Sequence, residues 1–477
     1  MSIIFETKAK LYEDDMFVVN WLNEHNIKGS LIKRKGAITV FCLRKMGMTT
    51  HFRCEIHYKK VNLLKYLEHL DKALTERVEQ EENAKQAALL VRRIKHLLGL
   101  DDLLIFLFIN YLKDNSYLEK AFADDPYCCF PNRIEDIAVL EYAIENNPAD
   151  FKAPYYLGCL YYDKERHADA IKCFETSIER GADFATPYRN LALLNYNVEH
   201  NAKKALVLME KAFALDETDA RILYELDLLK KRIGILPADR LAFLDKFADI
   251  VSMRDDLTLE YITLLNLTGE YQRALDMIMN RRFHPWEGGE GKVPEQYIFS
   301  NIALGMPENA FVYPHNLGEG KLYGAQENRQ NYYMGLKTGN AEYFEKASTG
   351  LSDPASAMYY NDQPPETIFY QGLALLKLGR KDEANERFDR LIQYADKHMN
   401  DEISIDYFAV SLPDLLVFDE DLNLKNRLHC MFMKAFGLYG KGKKEESKKL
   451  FEEALTINPN HFQMATHYNR IFKEKAL

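Results

Sequence analysis

Apolar residues along most of this chain recur every three to four positions, the spacing of amphipathic helices, and small residues recur on a longer cycle. In APYYLGCLYYDKERHADAIKCFETSIERG (153–181), Leu157, Gly158 and Tyr161 mark one helical stretch, and Ala170, Phe174 and Ser177 mark the next. Counted from Phe151, they stand at positions 7, 8, 11, 20, 24 and 27 of a 34-residue unit. Large residues at 7, 11 and 24 fill the groove between two antiparallel helices, and small ones at 8, 20 and 27 let the backbones approach. This is the tetratricopeptide pattern.

The cycle continues in both directions. Units start at 117, 151, 185 and 220; the first is cryptic, with Ala143 and Pro148 in register, and the third carries Tyr188, Leu191, Ala192, Ala205, Met209 and Ala212. Beyond them, LEYITLLNLTGEYQRALDMI places Ala274 at position 20. A later unit shows Gly372, Leu375, Ala384 and Phe388, and the last shows Ala435, Leu438, Phe451, Ala454 and Pro459. One unit is defective. Its aromatic–glycine start (Tyr332, Tyr333, Gly335) and its FEKA ending (Phe344 to Ala347) are both present, but Gly335 and Phe344 are nine residues apart where the pattern wants sixteen. About two helical turns are missing, so this pair must be stunted or splayed.

The first hundred residues do not repeat. Residues 9–26 read as a helix. LIKRKGAITVFCLRK and THFRCEIHYKK alternate around KMGMTT as strand–turn–strand, and 61–99 form a long helical run with charged faces. The apolar run 103–112 is about half of what spans a bilayer and reads as a buried helix. The expected fold is all-α: a right-handed superhelical tetratricopeptide solenoid of about eight helical pairs with a small α+β N-terminal cap. The expected organisation is a basic α+β segment (1–60), helices leading into the array (61–116), repeats (117–280), an irregular glycine-rich connector (281–330) and C-terminal repeats (331–477).

Composition narrows the function. A formal net charge of −10 argues against nucleic acid as the partner of the whole chain, although nine Lys/Arg face one acid, Glu55, between Ile27 and Lys60. That segment suits a solvated face, an acidic protein partner, docking on the acidic array, or nucleic acid. The acids in MSIIFETKAKLYEDD interrupt any secretory apolar stretch. Seven scattered cysteines suit a reducing compartment. A cytoplasmic, bacterial-type protein without a membrane span is expected.

RRFHPWEGGEGKV, NLGEGKLYGAQEN, FEKASTGLSDPASAMYYNDQPPETIFYQGLALLKLG and DEISIDYFAVSLPDLLVFDEDLNLKNRLHC resemble the C-terminal tetratricopeptide half of a bacterial family. In that family a β-rich N-terminal region of unknown function, similar to galactose-mutarotase-like sandwiches, precedes the repeats. The resemblance runs from about Pro131 to the end. A sandwich needs about 200 residues of short strands, so the β-rich region is expected to be absent here. The resemblance implies no catalytic residue.

Two loops share the wording GEGK, Gly289–Lys292 and Gly318–Lys321, each after a histidine beside a proline. Glycine turns bind anions through backbone N–H groups, but a P-loop needs a glycine where Trp286 and His315 stand and Ser/Thr where Val293 and Leu322 stand. A ligand or peptide site is the other reading, built from His284, Trp286, Glu287, Glu290, His315, Asn316 and Glu319. The proline-broken, aromatic segments with Tyr359, Tyr360, Asn361, Asp406 and Tyr407 would extend it. Alternatively the loops merely end helices, with Trp286 wedged between pairs. His51, Cys54 and His57 are spaced for a metal, but strand alternation sets Cys54 apart from the histidines, and Cys128–Cys129 lacks a second pair. No cofactor, metal or catalytic group is expected. The function expected is a non-catalytic scaffold presenting a concave surface to a protein or peptide. The alternative is an accessory or remnant part of a carbohydrate-processing or carbohydrate-binding protein.

Overall fold

The computed structural model describes residues 2–7, 40–44, 51–57, 116–126, 129–132, 134–286, 288–321, 325–356, 363–404 and 417–473. The helices expected over 9–26, 61–99 and 103–112 lie outside these residues. So do most of the basic segment and Cys128, Glu287, Tyr359, Tyr360, Asn361, Asp406 and Tyr407. The chain divides into two compact units, Met1–Ala182 and Asp183–Leu477.

In the first unit, the alternating stretches form β2 (Val40–Arg44) and β3 (His51–His57), paired antiparallel with Val40 opposite Glu55. β1 (Ser2–Thr7) pairs on the other side of β3, giving the order β1-β3-β2. SIIFET shows no alternation, which is why pattern alone does not reveal β1. The cryptic repeat becomes α1 (Ser116–Ala123) and α2 (Ile134–Asn146), followed by α3 (Lys152–Asp163) and α4 (His167–Glu179). α3 and α4 pack with the Phe174 ring pressed on Gly158, where an added Cβ would come within 2.7 Å of it. Arg180 then donates to the carbonyls of Ile144 and Asn147, at the end of α2 where acceptors lack helical partners, and to the Asp150 carbonyl just before α3.

The second unit continues the pairing. α5 (Ala185–Asn197) and α6 (Ala202–Leu215) are joined through Asn201, whose side chain accepts from Lys204 N–H. Asp219 caps α7 (Ala220–Arg232), accepting from Arg221 and Ile222 N–H; such caps contribute about 1 kcal/mol. α8 (Pro237–Leu244) and the short α9 (Ala248–Val251) follow, then α10 (Asp255–Thr268), α11 (Tyr271–Met279) and α12 (Lys292–Ala303). After α12 two 3₁₀ turns, Pro307–Phe311 and His315–Leu317, stand where a second helix belongs. The array resumes with α13 (Asn328–Thr338), α14 (Ala341–Ala347), α15 (Pro365–Lys377), α16 (Lys381–His398), α17 (Leu422–Gly440) and α18 (Lys444–Ile457). It ends in α19 (Phe462–Tyr468) and a π turn, Asn469–Lys473.

The defective unit is stunted and not splayed. α14 has 7 residues where α18 has 14, yet Phe344 still sits on Gly335 as Phe388 sits on Gly372 (a Cβ would meet the rings at 2.7 and 2.4 Å). The glycine–phenylalanine contact fixes the helix separation, so losing two turns shortens the pair without opening it.

Distant segments of this unit also touch. Asn197 donates to the Val417 carbonyl (3.1 Å) and accepts from Asp419 N–H (3.0 Å), Phe418 meets Tyr196 edge-on, and Arg232 pairs with Glu420 (2.7 Å). Arg240, 1% exposed, forks onto Asp227 at 3.0 and 2.5 Å and donates to Asn460 Oδ1 at 2.8 Å. Asn460 in turn donates to the Ile235 carbonyl. Spacing within repeats does not encode these closures.

Candidate functional site

The two GEGK loops meet. Phe283 N–H donates to the Asn316 carbonyl at 2.8 Å, while the Asn316 amide donates to the carbonyls of Ile278 (2.7 Å) and Arg281 (3.0 Å) at the end of α11. Gly318 takes φ +81°, and a Cβ there would lie 2.6 Å from the Phe283 carbonyl oxygen, so only glycine fits. Glu319 accepts from Gly291 N–H at 2.8 Å, at the first turn of α12. Burial pushes its carboxyl up, against the lowering effect of that N–H. A carboxylate at a helix N-terminus occupies the place an external anion would take; here the anion belongs to the chain.

The other expected loop residues divide. Trp286 is half-buried against the core and covers Gly289. His284 is exposed at its ring, with its backbone N–H and Nδ1 on Asp255 at 2.9 and 3.2 Å; Arg281 holds the same carboxylate. Glu290 and His315 are exposed. Asn316 and Glu319 thus spend their polar atoms on backbone, and His284, Glu290 and His315 face solvent.

An open cleft of about 660 Å³ lies beside the stunted pair. It exists because two consecutive second helices are cut short: a five-residue 3₁₀ turn follows α12, and α14 has 7 residues. Glu308 and Phe311 line it from the 3₁₀ turn, Asn331 and Met334 from α13, and Tyr343 and Lys346 from α14. Its frame is tied: Lys337 joins Glu308 and the Gly305 carbonyl at 2.8 Å, and the Asn328 amide holds the carbonyls of Ala347 and Thr349 at 2.7 Å. Val312 and Leu351, next in sequence to lining residues, are 70% and 69% exposed. The nine-residue spacing of Gly335 and Phe344 was the sequence signal for this cleft.

The first helices of three pairs, α12, α13 and α15, are covered by the C-terminal segment. Phe462 meets Phe299 edge-on at 5.0 Å, Gln463 donates to Glu295 at 2.9 Å, and the Arg470 guanidinium lies 5.3 and 4.9 Å from the Phe299 and Tyr333 ring centres. His467 sits among Phe369, Phe432 and Phe436. Its Nδ1 is 2.7 Å from the Gln463 carbonyl and its Nε2 is 3.1 Å from the Tyr370 hydroxyl. A carbonyl only accepts, so Nδ1 carries the proton and Nε2 accepts from Tyr370.

Burial dominates the titration of this cluster. It drives His467 down to about 3, with Arg329 and Arg470 adding to the effect, and His461 down to about 4. Burial pushes the Glu366 carboxyl up to about 7 against the pull of Arg329, and Glu366 Oε2 has no hydrogen-bond partner. The enclosed void between Phe299, Arg329, Tyr370 and His467 measures about 10 Å³.

Among the described residues no group of three or more His, Cys, Asp and Glu is arranged to hold a metal ion. None of their helices is long and apolar enough to cross a membrane. Residues 366–398, which span most of α15 and all of α16, match the tetratricopeptide-repeat family model. Among solved structures, the chain is similar to YrrB, a TPR protein with an unusual peptide-binding site (17% identity, TM-score 0.27, 45% of this chain and 95% of that one). It is also similar to a tetratricopeptide repeat protein from Parabacteroides merdae (14% identity, TM-score 0.28, 54% and 84%). A third likeness is to Naa15/Naa10 bound to HypK-THB (11% identity, TM-score 0.27, 86% and 66%). The fold is read from this chain's own helix pairs and from the matched repeat: an α-helical tetratricopeptide solenoid, preceded in the chain by the three strands β1–β3.

Proposed function

We propose that this protein is a non-catalytic scaffold that binds a segment of a partner protein in the cleft beside the stunted pair. The cleft carries this reading: it is large, open and framed by tied elements. Phe311, Met334 and Tyr343 contribute apolar surface to a lining that is otherwise largely polar, with Asn331, Glu308 and Lys346 among its polar groups. This mixture suits a peptide with an apolar anchor flanked by polar groups. The void that Tyr370 and His467 line with Phe299 and Arg329 measures about 10 Å³, too small for a substrate, which favours a structural role for both groups. The carbohydrate alternative draws on the family resemblance alone.

Photo-crosslinking in the source cells tests the proposal. A crosslinking residue at Tyr343 is expected to capture one discrete protein, with capture lost on Met334→Glu and no capture from Val207, which is exposed on α6. Capture from Val207 and Tyr343 alike, or insensitivity to Met334→Glu, would refute the cleft.

A further inference from the structure

The face of α12, α13 and α15 under the C-terminal segment differs from the other helix contacts of this unit. Between α16 and α17 the fit is apolar and interlocked: Phe388 and Ile392 lie against Gly437 and Gly440, where a Cβ would meet them at 2.3–2.6 Å. The bed beneath α19 instead sets Glu295 and Arg329 beside the Phe369, Phe432 and Phe436 rings around His467, and Glu366, one turn before Tyr370 on α15, has its Oε2 buried without a hydrogen-bond partner. In a permanent interface such groups are a standing cost, and apolar replacements of the same volume are often neutral or stabilising. Local departures of this kind concentrate at functional surfaces.

The segment on that bed is read as a helix reads a groove. Phe462, Gln463, His467 and Arg470 stand at i, i+1, i+5 and i+8, which α-helical spacing gathers within an arc of roughly 140°. Each meets a defined receiver: the Phe299 ring takes the aromatic, the Glu295 carboxylate the amide, the Tyr370 hydroxyl the imidazole, and the Tyr333 ring, with Phe299 again, the guanidinium. Met464 is fully buried and supplies the apolar anchor. The segment is pinned at its start, where Asn460 is held by Arg240 and by the Ile235 carbonyl. Its π turn, Asn469–Lys473, interrupts regular helix hydrogen bonding just where Arg470 engages the rings.

We propose that this inner face is a groove for a helical peptide, that the chain's own Phe462–Lys473 is its resident ligand, and that a partner helix presenting aromatic, amide, imidazole and guanidinium groups in the same order takes the groove by displacing it. The groove is separate from the cleft beside α14, so the two readings stand or fall independently. Neutral His467 suits the resident state, because the Tyr370 hydroxyl needs an acceptor on Nε2.

The probe is a fluorescein-labelled peptide of residues 462–473, titrated against the full-length chain by anisotropy. Arg470→Ala removes the resident guanidinium from the two rings, a contact worth about tenfold in affinity. The variant is therefore expected to bind the probe about tenfold more tightly than the unchanged chain, and a probe carrying the same change should lose about as much. Glu295→Cys with Gln463→Cys, joined by a reducible bis-methanethiosulfonate crosslinker that replaces the reach of the two side chains, should abolish probe binding, and reduction should restore it; each chain carrying one of the two added cysteines is the control. Met334→Glu in the cleft should leave probe binding unchanged. The proposal is overturned if Arg470→Ala binds no better, if the crosslinked lock still binds, or if Met334→Glu removes binding and so places the probe in the cleft. Should Arg470→Ala fail to fold by circular dichroism, the reversible lock decides alone.

Discussion

Replacing Glu366 by glutamine should stabilise the protein in alkali and do little in acid. The carboxyl is 8% exposed, one of its oxygens lacks a partner, and burial raises it from an ordinary 4.5 to about 7. A group whose folded value lies above its unfolded one contributes stability that is full below the unfolded value and is lost as pH rises through the folded value. The window is therefore from 4.5 to about 7. A shift of this size corresponds to about 3 kcal/mol. Glutamine keeps the shape and removes the ionisation. Urea unfolding followed by circular dichroism should place Glu366→Gln about 3 kcal/mol above the parent near pH 8, and within about 1 kcal/mol near pH 5. The histidines are common to both proteins and cancel in the difference. A variant less stable than the parent at both pH values would show that the carboxylate is ionised and usefully paired, refuting the burial argument.

Three further outcomes follow from the same reasoning. Arg240→Ala leaves Asp227 buried and uncompensated and should cost about 3–5 kcal/mol in thermal or urea unfolding, whereas Arg240→Met with Asp227→Leu should recover most of the loss; equal losses would contradict the pairing. Gly318→Ala should cost about 1–3 kcal/mol, because the position combines φ +81° with backbone contact. Gly339→Ala, at φ +68° with open space around it, should cost about 1 kcal/mol, and differential scanning fluorimetry ranks the two. His461 and His467 have folded values depressed to about 4 and 3, so their stability is full above the usual 6.5 and is lost as pH falls below it. Arg329, Arg470 and Tyr370 face His467, and Glu366 titrates in the opposite sense on α15, so His467→Phe should selectively flatten the acid side of the stability profile.

The repeating part of this molecule was legible because its contacts are local. A glycine and a phenylalanine sixteen residues apart must meet across a helical pair, and the structure seats Phe174 on Gly158 and Phe388 on Gly372. The same count exposed the stunted unit, since Gly335 and Phe344 keep their contact over nine residues. The sites were less legible. GEGK suggested glycine turns, but nothing in the wording says that Asn316 reaches the end of α11 or that Glu319 reaches the start of α12. β1 carries no alternation to mark it. The cover over α12, α13 and α15 depends on Asn460 meeting Arg240 across 220 positions, and a repeat with a period near 34 residues holds no record of such a pair. An amphipathic helix such as FQMATHYNRIF shows that it has a buried face without showing what buries it.

Hydrogen–deuterium exchange of the full-length chain, read at the amides of Phe462–Tyr468, tests most directly the claim that the inner face is occupied by the chain's own C-terminal helix. The account predicts protection approaching that of α15, with marked loss of protection at both α19 and the facing surface of α13 in Arg470→Ala. Exchange at Phe462–Tyr468 as fast as a fraying terminus in the unchanged chain, or loss of protection in the variant confined to α19, would contradict it.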